Sequence, residues 1–132
     1  MKINTQPDKQ KAKSLKEMAE ITLKRLKEID IEKYPTNTLT DYYDIIRKLM
    51  EALTSIEGIK IKGEGAHKEL IDYICAKFTL GEITRQFIQE LRDHRNRISY
   101  EGFMIKPSFI KTNHQKIEQI INKLSDLLAQ KI

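Results

Sequence analysis

The 132 residues make one domain's worth of chain, taken here as 1–132, and 39% hydrophobic with 33% charged side chains excludes an intrinsically disordered polymer. Five glycines and three prolines are too few for a many-turned sandwich or barrel, and no apolar run approaches the roughly 18 residues of a membrane span. The net charge of +5, from 24 Lys and Arg against 19 Asp and Glu, helps attract nucleic-acid phosphates, while the single cysteine, Cys75, excludes an internal disulfide framework.

The hydrophobic period is helical along the chain. Pro7 and Asp8 suit the start of a first helix with the apolar stripe Leu15, Met18, Ala19, Thr22, Leu26 and Ile29, and Pro35 ends the connection behind it. Thr38-Leu39-Thr40-Asp41 has the form of a capping box and predicts that a second helix opens there. Its stripe is Tyr42, Ile45, Ile46, Leu49, Leu53 and Ile56. Of the adjacent Tyr42 and Tyr43, one is expected to pack inward and the other to lie at an edge. Gly58 is a natural left-handed stop.

Gly58 to Gly65 is the longest break in the helical pattern, and it contains no convincing strand. A shorter helix from about Ala66 to Phe78 follows, with Leu70, Ile71, Ile74 and Phe78 on one side and Gly81 behind it. The fourth helix runs from about Glu82 to about Tyr100, with Phe87, Ile88, Leu91 and Ile98 inward. After a break from Gly102 to Pro107, Ser108 is placed to cap a last helix striped by Ile110, Ile117, Ile120, Ile121, Leu124, Leu127 and Leu128. The expected fold is all-α, an up-and-down bundle of four long helices and one shorter one.

One segment breaks its own pattern. Continuing the stripe from Phe87 and Leu91, the next inward position is Arg95, and Ile98 resumes it. An arginine in an apolar face must meet a carboxylate, line a cleft or face a second subunit. Asp93 is too close in sequence and on the wrong side to be the partner. Arg92, Asn96 and Tyr100 are spaced by four and share a face, with Ser99 beside them. Two guanidinium groups, an amide and a phenol bind phosphate or purine edges, and they also serve as a polar network that fixes helix packing.

Arg95-Asn96-Arg97-Ile98-Ser99-Tyr100, with the flanks Leu91-Arg92-Asp93 and Glu101-Gly102, resembles the hallmark of the HEPN superfamily, small helical-bundle proteins of bacteria and archaea. The family motif is commonly Arg-Asn-x-x-x-His near the end of a late helix. Arg95 and Asn96 match it, and Tyr100 stands at the histidine position. The helical pattern of residues 8–131 extends the resemblance over nearly the whole chain. It implies a homodimer with Arg95 facing the dimer cleft. It also implies RNA or a nucleotide as ligand, bound by Arg92, Arg95, Asn96, Ser99 and Tyr100, and no metal or other cofactor. Many members are toxins, or partners of a minimal nucleotidyltransferase encoded beside them, and branches without the histidine are binding or regulatory subunits.

In some toxins of the family a motif tyrosine is nucleotidylated by the partner, which makes Tyr100 a candidate acceptor. Metal-independent cleavage of RNA needs groups that move protons near neutrality, which histidine supplies and tyrosine, with an ordinary pKa of about 10, does not. The expectation is therefore a binding or regulatory module. The alternatives are a ribonuclease using Arg95, Asn96 and Tyr100 or His94, and a plain interaction bundle.

Other features carry less. His67, His94 and His114 are widely separated and form no ligand pair, so no metal site is expected. Cys75 reads as a small core residue. Gly63-Glu64-Gly65 before a helix lacks the Gly-x-x-x-x-Gly-Lys pattern and reads as a flexible connection, although Lys60, Lys62 and His67 keep an anion site in view. The positive excess sits at the ends, nine basic against six acidic residues over 1–33 and five against two over 106–132. Lysines mixed with glutamates read first as solvated helix faces. The N-terminal Met1-Lys2-Ile3-Asn4-Thr5 has no apolar signal core, and with one cysteine this points to a reducing cytoplasm.

Overall fold

Asp8 opens the first helix, its carboxylate accepting the Lys11 backbone N–H at 2.9 Å. The computed structural model describes residues 1–132, and in it α1 spans Lys9–Lys27. Asp8→Ala is expected to lower stability by about 1 kcal/mol through loss of this cap, read as a fall in the denaturation midpoint.

The face that α1 buries is narrower than its sequence stripe. Ala12, Ala19 and Leu26 are buried and Leu15 and Leu23 partly so, whereas Met18 is 50% and Ile29 46% exposed. The small residues Ala12 and Ala19 at seven-residue spacing let α1 lie close along α2 and turn Met18 out of the seam, while Ile29 falls outside because α1 already ends at Lys27.

The second helix, α2, spans Pro35–Glu57, one turn earlier than the threonine motif predicts. Proline favours the first helical position because its φ is already helical and its missing N–H is not needed there. Thr38 therefore lies inside the helix, and its hydroxyl donates to the Ile31 carbonyl at 2.7 Å, tying down the α1–α2 connection instead of capping. Asp41 pairs with Arg25 of α1 at 2.9 Å. Tyr42 and Tyr43 are both buried, at 1% and 2% exposure, so neither lies at an edge. The Tyr42 hydroxyl donates to Glu118 at 3.3 Å. Eleven of the 23 residues of α2 are buried, because this helix packs against all the others.

Gly58 ends α2 with φ +70°, as its sequence position predicts. The following break does contain a strand: β2 (Ile59–Ile61) pairs antiparallel with β1 (Lys2–Asn4), Ile3 opposite Lys60. Three residues are too few for an alternating pattern to show.

The remaining helices are α3 (Ala66–Lys77), α4 (Glu82–Glu101) and α5 (Pro107–Ala129). Pro107 takes the first position of α5 and Lys106 the cap, so Ser108 lies inside the helix and caps nothing. Ile110, Ile117, Ile120, Ile121, Leu124 and Leu128 are buried and Leu127 is partly buried. At the far end of α2, Glu57 accepts Lys77 at 2.5 Å and faces Lys131 at 3.8 Å, joining the ends of α2, α3 and the chain. The result is an all-α bundle with a two-stranded fringe. No helix is long and apolar enough to cross a membrane.

Candidate functional site

The site is built where α4 crosses α2. Phe87, Ile88 and Leu91 fix the first half of α4 in the core. One turn beyond Leu91, Arg95 emerges half-buried, with a third of its side chain exposed. The carboxylate it meets comes from α2: Asp44 Oδ1 stands 4.0 Å from Arg95 Nε. That separation is an ion pair without a hydrogen bond, and the buried Nε has no acceptor. Another nitrogen of the guanidinium donates to Ser99 one turn along α4. Asp93 pairs instead with Arg92, at 2.9 Å.

Arg92 has only 19% of its side chain exposed and also donates from Nε to Gln89 at 2.8 Å. On the facing side of α2, Arg47 donates to Glu51 at 2.9 Å and stands 3.9 Å from Asp44. Between these charges lies the Tyr43 phenol, whose hydroxyl is buried and unpartnered. Burial pushes its pKa up to about 12, against the pull of Arg92 and Arg47, so the phenol keeps its proton at neutral pH. Tyr43 Oη and Arg95 Nε, on either side of Asp44, are thus buried with nothing to donate to, as His94 Nδ1 and His114 Nδ1 are buried without a partner elsewhere. A buried donor left in this state costs roughly 1–3 kcal/mol. An incoming phosphate oxygen would supply the missing acceptor.

The other residues of the motif are placed differently. Asn96 is half-buried on α4. Tyr100 is 86% exposed at the last turn, so Arg92, Asn96 and Tyr100 share a helix face without forming one contact cluster. His94 is turned toward α5, stacked on Phe103 at 5.8 Å and edge-on to Phe109 at 5.1 Å, with Nε2 3.5 Å from Glu90. Its contacts lie in an apolar recess of about 420 Å³ lined by Phe103, Met104, Ile105 and Phe109.

Tyr43, Asp44, Arg47 and Glu51 are absent from the sequence reading of the site, although the signal was there. Tyr43, Arg47 and Glu51 recur every four residues beside the apolar stripe of α2, the same kind of interruption that singled out Arg95. His67 at the start of α3 lies at the other edge of this row. Its pKa is lowered, first by burial and then by Arg47, and further by Arg92 and Arg95, so it is a neutral hydrogen-bonding group near pH 7. Cys75 is buried in α3, its thiol pushed up to about 11 by burial, as befits a packing residue.

No protein-family model, curated protein or solved structure matches this chain.

Proposed function

We propose that the chain is a HEPN-like dimeric module that binds the phosphates of RNA or a nucleotide at the α2/α4 junction. Its role in this reading is regulatory, beside a minimal nucleotidyltransferase in a toxin–antitoxin pair. The observation that carries the binding role is Arg95: an arginine on an apolar stripe, 4.0 Å from its only carboxylate, with a buried Nε and no acceptor. A guanidinium held for packing alone closes on its carboxylate, usually in two parallel hydrogen bonds. Arg95 is not closed in this way and keeps a third of its side chain exposed for a ligand. Tyr100 at 86% and Met104 at 75% exposure leave apolar surface at the end of α4 and just beyond it for a second copy.

Cleavage is not part of this reading. His94 is turned toward α5 against Phe103 and Phe109, its buried Nδ1 unpartnered, and Tyr100 is 86% exposed and makes no hydrogen bond to Arg95. The test is single-stranded RNA binding by fluorescence anisotropy over a salt series, with cleavage followed in EDTA. Binding is expected to weaken with rising salt and to fall about tenfold in Arg95→Ala, a change of one guanidinium–phosphate contact. No cleavage above the Arg95→Ala background is expected. Cleavage that disappears in Arg95→Ala would replace this reading with a metal-independent nuclease. Binding indifferent to Arg95 would leave Arg95 a packing residue.

A further inference from the structure

Next to the α2/α4 junction lies a cleft of about 450 Å³, between the N-terminal segment, the start of α1, the second half of α2, β2 and the start of α3. Its size falls within the roughly 300–1,000 Å³ of small-molecule sites. Three features of its lining define a ligand.

The first is a floor. Ile59 and Ile61, on one face of β2, together with Leu70 of α3, give an apolar surface suited to a planar ring. The second is a wall of neutral hydrogen-bonding groups, Thr5, Gln6, Ser55 and His67, suited to ring-edge and hydroxyl groups. The third is unspent charge. Of the carboxylates lining the cleft, Asp8 is engaged by the Lys11 backbone N–H and Glu51 by Arg47. Lys11 and Lys60 also line it and take part in no ion pair, which leaves two ammonium groups for an anion. A planar ring, hydroxyls and one anionic group together describe a nucleotide.

The cleft adjoins the Arg95 junction through Glu51. Glu51 lines the cleft and holds Arg47 at 2.9 Å, and Arg47 stands 3.9 Å from Asp44, the carboxylate that faces Arg95. We propose that the cleft holds one nucleotide unit, its base on Ile59, Ile61 and Leu70 and its phosphate against Lys11 and Lys60. Adjacency to the junction, taken with the phosphate-binding reading given above on which this rests, makes the cleft the neighbouring subsite for a single strand. The same chemistry is offered by a free mononucleotide and by one nucleotide of a strand.

The experiment is a titration of the full chain, followed by backbone amide NMR, with uridine and adenosine monophosphates in one arm and a single-stranded hexaribonucleotide in the other. Wild type is compared with Lys11→Ala/Lys60→Ala and with Arg95→Ala. Both lysines are exposed, so their removal leaves the fold intact. The expected result is movement of the Lys60, Ile61, Ala66 and His67 amides, with affinity reduced about tenfold in the double lysine variant. Response to the mononucleotides identifies a free-nucleotide site. Response to the hexamer alone identifies a strand subsite. Cleft amides that stay still with both ligands overturn the proposal. They do so even if the hexamer binds and Arg95→Ala abolishes it, an outcome that keeps the junction reading. Cleft movement lost only in the lysine variant, with Arg95→Ala neutral, keeps the cleft and sinks the junction.

Discussion

Gly58→Ala is expected to lower the stability of the chain by at least about 2 kcal/mol, since an L-residue in the left-handed region costs roughly 1–2 kcal/mol before any clash is added. Gly58 has φ +70°, and a Cβ there would lie 2.6 Å from the Thr5 carbonyl oxygen and 3.1 Å from Pro7 Cδ. The obstacle is backbone, which cannot swing aside as a side-chain end does. Relief requires moving the N-terminal segment, and that segment is held by the Thr5 N–H to Gly58 carbonyl bond at 2.7 Å and by the pairing of β1 with β2. Gly63 is the control. Its φ is +90°, yet a Cβ there meets nothing within 4 Å. Urea denaturation of Gly58→Ala and Gly63→Ala separates the backbone cost, present in both, from the close approach, present in one. Equal losses would show that the approach contributes nothing.

Tyr43→Phe is expected to change two properties in opposite directions. The ring is 2% exposed and packs in the core, so phenylalanine keeps its apolar contacts. The hydroxyl is buried without a partner, and removing it is expected to raise stability by about 1 kcal/mol. If the hydroxyl is kept for a phosphate oxygen, the same substitution weakens RNA binding about tenfold, because the phenol, protonated at neutral pH, supplies a hydrogen bond to the phosphate that phenylalanine cannot. Denaturation and anisotropy on one preparation read both effects. A gain in stability with unchanged binding removes Tyr43 from the site. A loss of stability shows that the hydroxyl has a partner in solution.

The helices were legible because their signals are local. Stripes at three- and four-residue spacing, Asp8, Gly58 and Gly102 located five helices from neighbouring residues alone. Their starts were less legible where two signals competed. Thr38 and Ser108 both have cap chemistry, but Pro35 and Pro107 lie just upstream and take the first helical position. The strands Lys2–Asn4 and Ile59–Ile61 depend on a pairing across the whole of α1 and α2, which no local window contains.

The same division holds for the site. Arg95 was visible as a charge on an apolar stripe, and its need for a carboxylate followed from burial alone. That the carboxylate is Asp44, and that Tyr43 and Arg47 flank it, follows from the crossing of α2 and α4, a three-dimensional fact. His94 is one residue from Arg95 in sequence but faces α5, because neighbouring helical residues point about 100° apart.

The central position of α2 has a kinetic consequence. The short link between α1 and α2 lets that pair close early at small entropic cost, whereas α5 reaches its seat on α2 only after α3 and α4 have been threaded between them. Docking of α5 therefore closes the largest loop and forms late. Because every other helix covers part of α2, its amides become accessible to solvent deuterium only when the whole bundle opens. Both halves of the Asp44–Arg95 junction ride on helices anchored in that slow-opening core, so uncovering the buried Tyr43 Oη and Arg95 Nε takes side-chain movement rather than separation of the helices.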